Sequence, residues 1–283
     1  MAKIKYSQTL VDLRSIYNKH YAKRNLDSDL LYQQMKSDIY KHPNKDGFIF
    51  RFEMWFKDYQ KELTHLFLVD RHLKYTLRDM NLTDLKGIKD ILRSKGVEKD
   101  AFIAKVDLET KVVTFDFSLH IPFEKFGYTF SLVLHEDSEM VLQFDDGDKT
   151  GAIPEEHYSI LKNSDDKTEL YLASLFRLAI NLVAYMECFP EQVKDGVPHN
   201  VPSLSHDKSF HIGTVDKLNF QVNKSNKISA PHIRKAHFRR LTSDYFKNKR
   251  GKIILVQETM VNGRAKSVYT AKDLSKMMKS VSF

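Results

Sequence analysis

Residues 102–144 read FIAKVDLETKVVTFDFSLHIPFEKFGYTFSLVLHEDSEMVLQF. Apolar and aromatic residues gather there in four short runs, 102–106, 112–117, 128–135 and 140–144, with a period near two. Val, Phe, Leu and Tyr in runs of this length fit a pleated, half-buried surface. The polar segments 107–111 and 136–139 between them have turn composition. Short strands joined by short turns pair as an antiparallel meander, which predicts a central antiparallel sheet.

On the N-terminal side the period is 3.6. Leu10, Leu13, Ile16 and Tyr17 recur at helical spacing. Asp27 or Ser28 stands where a helix carrying Leu30, Leu31, Met35 and Ile39 would be capped, and His42-Pro43-Asn44 ends it. Residues 48–78, with Phe52, Trp55, Phe56, Tyr59, Leu63, Leu66, Phe67 and Leu73 among charges, predict a longer helix, and Thr83 opens a short one ending at Gly96. On the C-terminal side Asp165 or Asp166 precedes an apolar helix over 170–189, stopped by Pro190. It is interrupted by Arg177, Asn181 and Glu187, so a buried central helix fits better than a membrane span. Then follow a Pro-containing loop over 197–205, a run over 215–222, a basic segment, and a strand over 253–258. Asn262-Gly263 before 267–270 signals a hairpin, and 271–281 a last helix. The expected fold is α+β: a helical N-terminal region, 1–98, and an α+β domain, 99–283, in which a buried helix covers the sheet and the basic segment leads into a β-hairpin.

A chain of 283 residues with 42% hydrophobic and 12% aromatic residues can bury a core, which excludes a disordered or fibrous class. No long uninterrupted apolar run and no leader pattern occur in it, so the expectation is a soluble, cytoplasmic protein with no membrane partner. The lone cysteine, Cys188, leaves no internal disulfide and no thiolate zinc cluster. Phosphate-cradling loops, dinucleotide glycine fingerprints, nucleophile elbows and zinc-protease helices are absent from the sequence, and no cofactor is expected.

Charge is the feature with functional content. The thirty residues 223–252 hold ten bases and one acid, Asp244, giving +9 in a chain whose total is +8, so the remainder sums to −1. A field concentrated in this way attracts polyanions. Its densest part is Pro231-His232-Ile233-Arg234-Lys235-Ala236-His237-Phe238-Arg239-Arg240. Arg234, Lys235, Arg239, Arg240, Lys247, Lys249, Arg250 and Lys252 offer contacts to phosphate, and Phe238 offers a surface on which a base would stack. Two other uses of the segment compete. In one, His232 and His237 serve as general base and general acid on a phosphodiester, with Arg234 stabilising the charged transition state, as in a metal-independent ribonuclease. In the other, the arginines pair internally with the acidic stretch 145–148. A metal site drawn from His199, His206, His211, His232, His237 and Asp207 matches no standard zinc spacing, and Asp145, Asp146 and Asp148 lack the glutamate that completes a calcium loop, so no metal is expected.

The segment 231–240 resembles one found in a group of phage and plasmid proteins typified by a type V-A anti-CRISPR that lowers its target nuclease by acting on that nuclease's mRNA during translation. In that group proline and histidine precede two basic residues, a small residue, a second histidine, an aromatic and one or two arginines. Pro231, His232, Arg234, Lys235, Ala236, His237, Phe238, Arg239 and Arg240 occupy those places, although Ala236 stands where glycine is usual and Phe238 where tryptophan is commoner. Ile121-Pro122-Phe123-Glu124, the helix with Asn181, and Val261-Asn262-Gly263 fit in order, so the resemblance covers roughly 101–264. It implies a mobile-element host-interference protein acting on RNA or a translation-associated complex, its host target unnamed. The alternative from another class is a stoichiometric inhibitor that docks Trp55, Tyr59 and Tyr75 on a host protein.

Overall fold

The computed structural model describes residues 8–41, 52, 56, 64–94, 104–121, 124, 127–147, 149–196, 207–215, 221–223 and 232–261, with the backbone alone for 8–12, 14, 64, 105–106, 207–208, 221–223, 232–234 and 259–261. The expected hairpin at Asn262-Gly263, the last helix and the loop over 197–205 lie outside them, as do Trp55 and Tyr59.

The fold is α+β. Two helices come first, α1 (Gln8–His20) and α2 (Ser28–Tyr40). Asp27 caps α2 by accepting a hydrogen bond from the Leu30 amide at 2.9 Å. Leu13, Tyr21, Leu31, Met35, Ile39, Phe52 and Phe56 form their own apolar cluster. The phenol of Tyr21 is pushed up to about 12 by burial and by its hydrogen bond to Asp38.

The long helix expected over 48–78 is not formed. Residues Thr64–Val69 are strand β1, and a new helix, α3 (Arg71–Asp79), starts after Asp70, whose carboxylate accepts from the Leu73 amide at 2.7 Å. Leu66, Phe67 and Leu73 fit helical spacing, but the continuous apolar run Leu66–Val69 is equally what a strand buried on both faces shows. Helix α4 (Leu85–Arg93) follows with Asp84 as its cap.

The expected meander is present as β2 (Lys105–Val106), β3 (Val113–His120), β4 (Tyr128–Leu134) and β5 (Met140–Asp145), extended by β6 (Thr150–Pro154). All neighbours among these pair antiparallel. A short helix, α5 (Tyr158–Leu161), then leads to α6 (Lys167–Cys188), capped by Asp166, whose carboxylate accepts from the amides of Thr168 and Glu169. Those hydrogen bonds hold the Asp166 carboxyl below its ordinary value. Strands β7 (Val193–Asp195) and β8 (Asp207–Ile212) complete the main sheet in the order β6-β5-β4-β3-β1-β8-β7, with β2 also on β3. Because β1 runs parallel to both β3 and β8, the sheet is mixed and not purely antiparallel.

Strand β1 sits mid-sheet, and α3 and α4 pack on α6. Residues on both sides of position 98, from Phe67 to Ile253, share one apolar cluster. Helix α6 is long and apolar enough to cross a membrane, yet 72% of its most apolar stretch is buried in the fold, where it covers the sheet. The last described elements are β9 (Gln221–Asn223), β10 (His232–Arg234), β11 (His237–Arg240), β12 (Ile253–Val256) and β13 (Thr259–Val261), arranged as one three-stranded sheet, β10-β13-β9, and one two-stranded ribbon, β11-β12.

Candidate nucleic-acid interface

The basic segment is split by the sheets it enters. His232 and Arg234 lie on β10, paired antiparallel with β13, whereas His237 to Arg240 form β11, paired with β12. The two histidines thus sit on strands that are not partners. The ring of His237 is half-buried, and its Nδ1 lies 3.2 Å from the Lys235 carbonyl.

Within the ribbon the pleat decides which residues point inward. Phe238 is 2% exposed and meets the Tyr185 ring of α6 edge-on at 6.3 Å, with Ile253 buried beside it. The base-stacking surface expected at Phe238 is therefore inside the protein: its 2% exposure leaves no face for a ligand. Arg240, two positions on and on the same side, reaches α4. Its guanidinium pairs with Asp90, and its Nε donates to the Gly251 carbonyl at 3.3 Å. Its aliphatic stem lies over Gly87, where an added Cβ would come 3.3 Å from Arg240 Cδ. Arg240 ties hairpin to helix through this partly exposed ion pair. Its acid partner is Asp90 and not the stretch 145–148. There, Asp146 accepts instead from the Tyr171 hydroxyl at 2.6 Å and the Lys149 amide at 2.7 Å.

The outer face and the connection carry the remaining charge. Arg239 is exposed between two inward residues. Residues 242–251 are held in one shape by backbone hydrogen bonds: Gly251 to Leu241 O at 2.7 Å, Leu241 to Lys252 O at 2.9 Å, and Lys249 to Phe246 O at 2.8 Å. Gly251 has φ of +86°, a conformation that a side chain would strain. Ser243 caps the turn Asp244–Phe246 by accepting from the Tyr245 amide at 3.3 Å, and Asp244 pairs with Arg250 at 2.6 Å with both groups exposed. Lys235, Arg239, Lys247, Lys249 and Lys252 are exposed and form no ion pair among the described residues. Four cations of the hairpin, Arg239, Lys247, Lys249 and Lys252, with Lys235 just before it, form no ion pair among the described residues, and the hairpin's one acid pairs with Arg250, so these cations can hold phosphates without first breaking internal contacts.

The hairpin stands on a buried polar floor. Asn181 of α6 is fully buried; it accepts from the amide and hydroxyl of Thr83 at 3.0 and 2.7 Å and donates to the carbonyls of Leu77 and Asn81 at 2.8 and 3.2 Å. The Asn81 amide in turn donates to Ala236 O at 3.2 Å, so this side chain fixes the α3–α4 connection against which β11 begins. The Tyr185 hydroxyl donates to Gly213 O at 2.8 Å and accepts from the Val215 amide at 3.1 Å, and burial pushes its phenol up to about 12.

Two further polar clusters escape a sequence reading. Lys74, buried on α3, donates to Glu124 at 2.6 Å and to the Tyr128 hydroxyl at 2.7 Å, while Tyr128 donates to Glu124 at 2.8 Å. Burial and that carboxylate push the Tyr128 phenol far above its ordinary value. The second lies on the face of β3 turned away from α6, where Thr114, Asp116, Ser118 and His120 alternate and are all buried, with Ser131 donating to Asp116. Alternation of polar with aromatic residues in 113–120 is the signal for this face, but it reads equally well as solvent exposure. Tyr75, expected to dock on a partner protein, is half-buried under the guanidiniums of Arg78 and Arg71 at 4.6 and 5.5 Å from its ring. Among the described residues no three His, Cys, Asp or Glu side chains gather as metal ligands.

No protein-family model matches this chain, and neither does any curated protein or solved structure.

Proposed function

We propose that this chain binds RNA through the outer face and connection of the β11–β12 hairpin. The observation that carries the reading is the set Lys235, Arg239, Lys247, Lys249 and Lys252, exposed and without an ion pair among the described residues. Charges that fold stability does not use, concentrated on one hairpin and the residue leading into it, displace counterions from a polyphosphate backbone. The resemblance expected from the sequence over roughly 101–264, to a group of phage and plasmid proteins typified by one that acts on an mRNA, favours RNA over other polyanions in this reading. It extends the proposal to a mobile-element factor that interferes with a host process, in the host cytoplasm, through a message or a translation-associated complex.

The test is anisotropy of a labelled transcript titrated with the full chain and with the Lys247→Ala/Lys249→Ala variant. Binding by the wild type, weakened roughly tenfold in the variant while the melting temperature holds, is the expected result. Equal affinity in the two proteins, or none in either, contradicts it. The same tubes examined by gel after hours of incubation decide between holding and cutting: an intact transcript is expected, and a degraded one would favour the ribonuclease reading in place of simple binding.

A further inference from the structure

The hairpin that hides Phe238 exposes another ring. Tyr245, in the turn Asp244–Phe246, is 86% exposed, the largest value for any described aromatic residue. A tyrosine so far out of the protein contributes little to folding. Its turn is nevertheless tied to its neighbours. The Ser243 hydroxyl accepts from its own amide, the Asp244–Arg250 pair closes the connection on one side of it, and the Phe246 ring meets it edge-on at 5.3 Å. An edge-on neighbour steadies a ring while leaving a face open. Lys247 and Lys249 follow within four positions, both exposed.

An exposed aromatic ring with two exposed lysines close by in the chain is an arrangement that takes an unpaired nucleotide, the base on the ring and its flanking phosphates on the lysines. A base inside a duplex presents only its edges and cannot lie on a ring. From the one exposed ring at the end of the cationic hairpin we infer that its ligand is single-stranded RNA, with Tyr245 as the base-stacking residue and Lys247 and Lys249 as the phosphate contacts on either side of the stacked nucleotide. The inference rests on the RNA-binding reading and narrows it to a substrate class.

Stacking and charge leave different marks on a salt titration. Removing a ring lowers affinity at every salt concentration and leaves the slope of log K against log salt unchanged, whereas removing a lysine reduces the slope. The experiment measures the full chain, Tyr245→Ala, Tyr245→Phe and Lys247→Ala against one labelled single strand, RNA and DNA versions of it, and the duplex formed with its complement. Expected are a preference for the single strand over the duplex, a loss on the order of tenfold in Tyr245→Ala with the slope unchanged, near-full retention in Tyr245→Phe, and a shallower slope in Lys247→Ala. Stronger binding to the RNA strand than to DNA is the expected arm; the reverse would assign the site to single-stranded DNA and overturn the RNA assignment. Equal affinity for strand and duplex, or no effect of Tyr245→Ala, overturns the stacking role alone and leaves RNA binding standing. Absence of binding by the wild type at low salt overturns both.

Discussion

The base and the connection of one hairpin come from a single stretch, 237–256, and lie in opposite environments. At the base Phe238 and Ile253 are buried against α6, and Arg240 is consumed by Asp90. Beyond them Tyr245, Lys247 and Lys249 stand in solvent with only Asp244 for an acid, and that acid is taken by Arg250. Arg239 and Arg240 are neighbours in sequence, yet the pleat turns one outward and the other onto a helix. Composition alone therefore overstates the interface. A basic residue counts toward ligand binding only when the fold does not use its charge, and the two parts should respond differently to substitution: the base in stability, the connection in affinity.

The largest effect is expected at the base. Phe238→Ala empties a site packed on Tyr185 and should lower unfolding free energy by about 3–5 kcal/mol, seen as a lower urea midpoint with unchanged slope. A change under about 1 kcal/mol would mean that the ribbon is not anchored on α6. Asn181→Ala leaves the Leu77 and Asn81 carbonyls and the Thr83 donors without their buried partner, and a loss of about 3 kcal/mol is expected by the same assay.

For the connection the expected sign of the comparison is reversed. Lys247→Ala/Lys249→Ala/Lys252→Ala should hold stability within about 0.5 kcal/mol while the salt slope for single-stranded RNA falls by about 2, at roughly 0.7 per phosphate contact. Loss of stability without loss of slope would assign these lysines to the fold. The two arginines give a smaller and sharper contrast. Arg240→Ala should cost about 1 kcal/mol or less, because its ion pair is partly solvated, and leave RNA affinity unchanged; Arg239→Ala should do the converse.

The smallest effect is silent at neutral pH. The Tyr185 phenol is raised from 10 to about 12 in the folded protein, mainly by burial, so its contribution is complete below about pH 10 and is lost as pH rises through about 12. Alkaline unfolding of Tyr185→Phe should accordingly show a shallower fall in stability over that window than the wild type. Identical curves would place the Tyr185 hydroxyl in water.

Local patterns made much of this readable. The caps Asp27 and Asp166, the meander 105–145 and helix α6 follow from spacing over a few residues, which the sequence displays directly. Strand β1 is not readable in that way. Buried on both faces between β3 and β8, it loses the alternation that marks a strand, and its parallel partners lie some fifty and more than a hundred residues away. The positive charge of the candidate interface was equally plain, but which cations stay free depends on the register in which β11 meets α6 and on where Asp90 arrives. No local pattern encodes either. That is why Phe238 reads in the sequence as a stacking surface while Tyr245 does not stand out among the lysines.

Of all these measurements, the salt dependence of RNA affinity for the intact chain tests the central claim most directly. Log K should fall steeply and linearly with log salt, and substitution of Lys247, Lys249 and Lys252 should flatten the line while the protein stays folded. Affinity that is indifferent to salt, or a slope that survives the loss of all three lysines, would contradict it.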